Sequence, residues 1–291
     1  MFTINDIYNK QIIINNDFDG ILCGDFLQTN FNCKVIGWTN SKDKLYIKKG
    51  YILTENTIFI DIFTPQYMSI DQHITPYIYE NSLNPNMLNN VFVFDNYNKK
   101  YPFSTFLFIL TLSCIEGIDI KSFIINNNLY KLGDKNFYKF DIFLRADDTL
   151  YSTVCAYKEN CQNWWNNIVS ISNNNFCLKN LFNFIYSLEE EYVKKWKSEM
   201  KDYFEKKYNI INEELPIFNE TNKSKIKEFL SHFNLETAVD DLLEIKLVHK
   251  RVNITNIEEF QKIINNNQIF SYAFPYSPRN INKKNFSYTT F

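Results

Sequence analysis

Ile12-Ile13-Ile14-Asn15-Asn16-Asp17-Phe18-Asp19-Gly20-Ile21-Leu22 is the stretch that decides the fold. Three β-branched residues in a row fit a strand buried on both faces, as in a parallel sheet. Two carboxylates spaced two apart follow, and Gly20 lets the chain turn into a helix. A strand that runs through a polar loop into a helix is the opening unit of an α/β sheet, and such sheets bind ligands outside the carboxyl ends of their strands.

The same texture continues outward. Gln11–Asn15, Lys34–Trp38, Thr57–Ile62, Tyr67–Ile70, Val91–Phe94 and Phe140–Arg145 read as strands, Gly20–Thr29 as a helix, and Phe103–Ile115 as a buried helix opened by Ser104-Thr105. The expected fold class is therefore α/β, with a mostly parallel sheet of about five strands in an amino-terminal domain, 1–165. An Asn- and Ser-rich stretch, 166–178, reads as a linker. Beyond it, 179–291 reads as a smaller α+β domain that begins with a long amphipathic helix carrying Leu181, Ile185, Leu188, Tyr192, Trp196, Met200 and Tyr203. On its polar face Glu190 and Glu191 each precede a lysine by four residues, the stabilising order.

With 291 residues, 45% hydrophobic and 22% charged, the chain can bury a core. A net charge of −2 excludes a uniformly basic duplex-binding surface and leaves room for a local basic groove. The apolar run at 103–115 is too short to span a membrane and too far from Met1 to be a signal peptide. Six cysteines without a CxxC pair read as thiols, so a cytoplasmic location without membrane attachment is expected.

Four segments place acids at strand ends: Asp17 and Asp19; Asp61 in Thr57-Ile58-Phe59-Ile60-Asp61; Asp71 with His73 in Ser69-Ile70-Asp71-Gln72-His73; and Asp147-Asp148 after Phe143-Leu144-Arg145. Carboxylates gathered on one sheet edge repel unless a cation lies among them, so a hard divalent metal is the physical expectation.

The order and spacing of these motifs resemble the DHH phosphoesterase superfamily over about the first 155 residues. In that family a strand leads into His-x-Asp-x-Asp-Gly, a second strand ends in Asp, a third in Asp-His-His, and a later Asp completes the set. The resemblance implies Asp17, Asp19, Asp61 and Asp148 (or Asp147) as ligands of Mn²⁺ or Mg²⁺, with Asp71 and His73 as catalytic residues, His73 meeting the scissile phosphate. It implies hydrolysis of phosphodiester bonds in short single-stranded oligonucleotides or nucleotides. Two positions depart from the family pattern. Asn15 stands in place of the first histidine and Gln72 in place of the first histidine of Asp-His-His, so oxygen donors replace imidazoles and the site shifts towards Mg²⁺, Ca²⁺ or no ion. The family's Gly-Gly-His substrate loop is also missing from a chain with only 6 Gly.

Arg251 with Lys250, and Arg279 with Lys283 and Lys284, are the candidates for gripping substrate phosphates. Two alternatives stand beside the hydrolase: a catalytically impaired homologue that binds nucleotide, nucleic acid or a protein partner, and a haloacid-dehalogenase-like phosphatase with Asp17 as nucleophile. The second leaves Asp71 and His73 without a role. His249 is the one histidine available to replace a lost imidazole.

Overall fold

The computed structural model describes residues 3–40, 42–96, 99, 104–118, 159, 163, 179, 183, 189–211, 214–216, 220–274 and 284–291. In chain order the strands and helices are β1 (Gln11–Asn15), α1 (Phe18–Phe31), β2 (Lys34–Thr39), β3 (Lys44–Lys48), β4 (Thr57–Ile60), β5 (Met68–Ile70), β6 (Ser82–Leu83), α2 (Pro85–Leu88), α3 (Thr105–Ile115), α4 (Glu190–Tyr208), α5 (Lys223–Ser231), β7 (Leu242–Lys246), β8 (Val248–Ile254), α6 (Ile257–Asn266), β9 (Ile269–Ala273) and β10 (Lys284–Thr290). They form two compact units. Met1–Asn15, Phe26–Lys100 and Asp240–Phe291 make the first; Asn16–Asp25 and Tyr101–Val239 make the second.

In the first unit a seven-stranded sheet has the order β6-β5-β4-β1-β2-β3-β7. The five strands from β6 to β2 pair in parallel, while β3 and then β7 add antiparallel. The α/β, mostly parallel character expected from the sequence is therefore present. Ile12, Ile13 and Ile14 are fully buried, as a central strand covered on both faces requires. β7 closes the edge with charge: Glu244 accepts from the Tyr46 hydroxyl at 3.0 Å and lies 3.6 Å from Lys44.

Segment 244–249 reads from sequence as one strand of a separate carboxyl-terminal domain, whereas in the structure it breaks at Leu247. Its first part, β7, runs along β3 of the large sheet and its second, β8, enters a three-stranded antiparallel sheet of order β8-β10-β9. The small sheet is amphipathic: Ile254, Tyr272, Phe274, Phe286 and Tyr288 join Phe63, Ile74, Met87, Val91, Val93 and Phe260 of α6 in one core cluster. Val91–Phe94 is not a strand. Phe92 makes a single bridge to Thr75, and Asn96 accepts the Phe92 N–H at 2.8 Å to turn the chain, as Asp95-Asn96 favours. The expected strand at 140–145 and the expected linker at 166–178 lie outside the described residues.

In the second unit α3 is almost wholly buried, Phe106 to Leu110 at 0% exposure, and Phe18, Phe204, Tyr208 and Phe229 form an aromatic cluster with neighbouring ring centroids 4.9 to 5.8 Å apart. On α4 the pair Glu190–Lys194 closes at 2.6 Å. Among the described residues no helix is long and apolar enough to cross a membrane. Cys23, Cys33 and Cys114 are buried free thiols, and burial pushes the Cys33 thiol up to about 12.

Candidate functional site

The large sheet reverses its strand order between β1 and β4: from β1 the chain proceeds outward to β2 and β3, then returns to β1's other flank to lay down β4, β5 and β6. Such a reversal opens a crevice at the carboxyl edge, the usual ligand position of open α/β sheets. Because these strands are parallel, the residues at or just beyond their carboxyl ends form one row along that edge: Asn84 after β6, Asp71 after β5, Asp61 after β4 and Asn15 at the end of β1.

At the reversal the Asn15 amide donates from Nδ2 to Oδ2 of Asp61 at 3.2 Å. Asp61 is 3% exposed and sits in the left-handed region at φ +62°, while its own N–H is held by the Ile70 carbonyl at 2.8 Å. Left-handed backbone at a residue other than glycine is sparsely populated, though Asp tolerates it better than most. Here the turn brings the carboxylate to the end of the strand beside Asn15.

One strand over, Asp71 is fully buried and held by neutral donors. Its Oδ1 accepts the His73 N–H at 2.7 Å and the Asn84 Nδ2 at 3.3 Å, and its Oδ2 lies 3.5 Å from the Ser82 hydroxyl. His73 Nδ1 is 3.3 Å from Asp71 Oδ1. Asn84 also donates to the His73 carbonyl at 2.6 Å, and Asn86 donates to the Gln72 carbonyl at 2.7 Å. The loop carrying His73 is thus pinned from both sides, with the His73 N–H and the Gln72 and His73 carbonyls satisfied. Gln72 is 3% exposed in the same loop.

The His73 side chain, about one-third exposed, lines a cavity of about 40 Å³ with Ile62, Phe63, Ser271, Tyr272, Ala273, Ser287 and Tyr288. That volume holds a water or a small ion and no more. The Tyr272 hydroxyl donates to Tyr79 at 2.9 Å, and burial pushes both phenols far above their usual range, so they remain protonated. His249 places Nε2 2.6 Å from the Ser287 hydroxyl, while burial and then the neighbouring Arg251 hold its imidazole below its usual value.

In the second unit the two acids of the opening motif have structural partners. Asp17 Oδ1 accepts the Gly20 N–H at 2.9 Å, capping α1. Asp19 is 1% exposed and accepts from the Ser104 hydroxyl at 2.8 Å, the Thr105 N–H at 2.7 Å and the Phe106 N–H at 2.9 Å. It therefore binds the amino-terminal end of α3, where backbone N–H groups and the helix dipole favour an anion. The resemblance implies Asp19 as a metal ligand; in the structure its carboxylate caps this helix terminus.

Comparison with protein-family models, with curated proteins and with solved structures finds no match to the chain.

Of the residues singled out from sequence, the structure brings Asn15 to Asp61 and Asp71 to His73. Arg251 lies on β8, exposed and in register with Ser287, and Lys284 opens β10 opposite Ile254. Asp147, Asp148, Arg279 and Lys283 lie outside the described residues. Among the described residues no three His, Cys, Asp or Glu side chains gather as metal ligands. The sequence reading missed Asn84, Ser82, Ser271 and Ser287. Only Asn84 carries a local signal, an Asn-Pro pair directly after a strand that marks a helix start; its side chain accepts the Asn86 N–H at 2.9 Å.

Proposed function

We propose that the protein hydrolyses phosphodiester bonds in short single-stranded oligonucleotides or nucleotides with the help of a divalent cation, in the manner of the DHH phosphoesterases it resembles. The observation that carries this reading is the Asn15–Asp61 contact at the strand-order reversal, one strand away from the Asp71–His73 pair. A carboxylate and an amide offer oxygen donors, which suit a hard cation that keeps several of its own waters better than a closed transition-metal site. Asp61, with Asn15 turned to present Oδ1, would hold Mg²⁺ or Mn²⁺, which when bound supplies an activated water and neutralises phosphate charge. His73 offers an imidazole to a non-bridging or leaving oxygen of the phosphate. Asp71 holds the loop through the His73 backbone N–H and lies 3.3 Å from Nδ1, and Asn84 fixes the loop beneath it. Water adds to phosphorus and one ester oxygen leaves with a proton, giving a phosphomonoester and an alcohol.

The impaired-homologue reading is favoured by one observation: Asp19 and Asp71 spend their carboxylates on holding the protein together. Incubation of a 5′-labelled trinucleotide with Mg²⁺ or Mn²⁺ separates the two. The hydrolase reading expects cleavage that falls at least 100-fold in Asp61→Ala and His73→Ala. No cleavage by the wild type with either ion leaves the binding module.

A further inference from the structure

Strand alternation gives the three-stranded sheet a polar face opposite its apolar one. In the β8–β10 register Arg251 faces Ser287 and Asn253 faces Asn285. These four line a concavity of about 220 Å³ together with Val252 and Phe286. Ser287 also lines the small cavity that His73 enters, so the two spaces share a wall. Arg251 and Asn253 are exposed and Asn285 partly so; among the described residues no carboxylate pairs with the Arg251 guanidinium, and neither Asn amide has a hydrogen-bond partner. A guanidinium and two amides thus stand uncommitted around one hollow, beside the Ser287 hydroxyl that His249 contacts. The volume is below the roughly 300–1,000 Å³ of sites that enclose drug-sized ligands, so the hollow seats a small group without enclosing a large one.

We propose that this face is a mononucleotide subsite in which Arg251 and Ser287 hold a phosphate while Asn253 and Asn285 hydrogen-bond the attached nucleoside. The ligand class rests on the phosphodiesterase reading; the site rests on the sheet register and the shared Ser287. A guanidinium recognises phosphate through charge-assisted hydrogen bonds, and an amide carries both a donor and an acceptor for a base edge or a sugar hydroxyl. A nucleotide held there would present its neighbouring phosphodiester to His73 across Ser287.

Calorimetry in EDTA, with the four nucleoside 5′-monophosphates and with inorganic phosphate as separate titrants, tests the subsite without catalysis. The expected result is binding of at least one mononucleotide by the wild type, weakened about tenfold or more in Arg251→Gln for both nucleotide and inorganic phosphate. The Asn253→Ala/Asn285→Ala variant should weaken nucleotide binding about tenfold and leave inorganic phosphate unchanged. These side chains are surface groups, and unchanged circular dichroism melting confirms that the variants fold. No mononucleotide binding by the wild type, or equal affinity in Arg251→Gln, overturns the subsite. Trinucleotide cleavage that survives either of those results leaves the hydrolase reading standing. Arg251-dependent binding in a wild type that never cleaves leaves the subsite standing without it.

Discussion

Asn15 donates a hydrogen bond to Asp61, 3.2 Å away, across the place where the strand order of the large sheet reverses. An amide in this position delivers a neutral donor to a buried carboxylate, where an imidazole would deliver a nitrogen ligand to a transition metal. Under the proposed function, that difference predicts the outcome of restoring both histidines of the DHH pattern that the sequence resembles. Asn15→His with Gln72→His should raise Mn²⁺-dependent cleavage of a trinucleotide at least tenfold over the parent while leaving Mg²⁺-dependent cleavage equal or lower, since imidazole favours the softer ion. A parent that already cleaves with Mn²⁺ as fast as the variant would show that the oxygen-donor set is already a complete site, and no cleavage by either would reduce the resemblance to one of fold.

Asp19 is a helix cap in this structure, and its removal is a stability experiment. Asp19→Ala strips a buried charged acceptor from one hydroxyl and two backbone N–H groups of α3. A loss of about 2–4 kcal/mol in urea unfolding with EDTA present is expected. A carboxylate whose main business was a metal would behave in the opposite way without the ion, its removal relieving repulsion and stabilising the fold.

Much of the first unit is legible in local sequence. Gln11–Asn15 is a strand with the bounds that its β-branched run implies, and Lys34–Thr39, Thr57–Ile60 and Met68–Ile70 fall within two residues of the expected ends. Local pattern does not reveal partners remote in sequence. Asp17-x-Asp19 reads locally as paired ligands, and nothing nearby in sequence shows that α3, 85 to 87 residues later, begins on Asp19. β3 hides in a lysine-rich run, Lys44-Leu45-Tyr46-Ile47-Lys48, whose pairing with β7 spans about 200 residues. Asp71 and His73 are visible as a motif, whereas Ser271 and Ser287, which share a cavity with His73, are unremarkable hydroxyls in β9 and β10.

Gly37 lies in β2 against both flanking strands. A Cβ there would run into the Tyr46 carbonyl oxygen of β3 and lie 3.3 Å from Ile13 of β1, and backbone cannot yield as a side-chain tip can. Gly37→Ala should therefore cost about 1–3 kcal/mol in equilibrium unfolding. A neutral result would mean that β2 and β3 are further apart at this position than the structure has them.

His249 makes stability depend on pH with a defined sign. Its native imidazole is held below the usual 6.5 by burial and then by Arg251, so the unfolded chain takes up the proton first as pH falls. The contribution is fully present above pH 6.5 and is lost as pH drops through and below that value. Urea unfolding at pH 8, 7, 6 and 5 should show wild type losing stability relative to His249→Gln towards the acid end. A flat difference, or wild type gaining stability relative to His249→Gln as pH falls, contradicts the environment described for His249.

The cation site proposed at Asp61 is tested most directly by calorimetric titration of Mg²⁺ and of Mn²⁺ into the metal-free wild type and into Asp61→Ala. The account predicts one saturable binding event in the wild type and at least a tenfold weaker one, or none, in Asp61→Ala. Equal binding by both proteins, or no binding of either ion by the wild type, would contradict it.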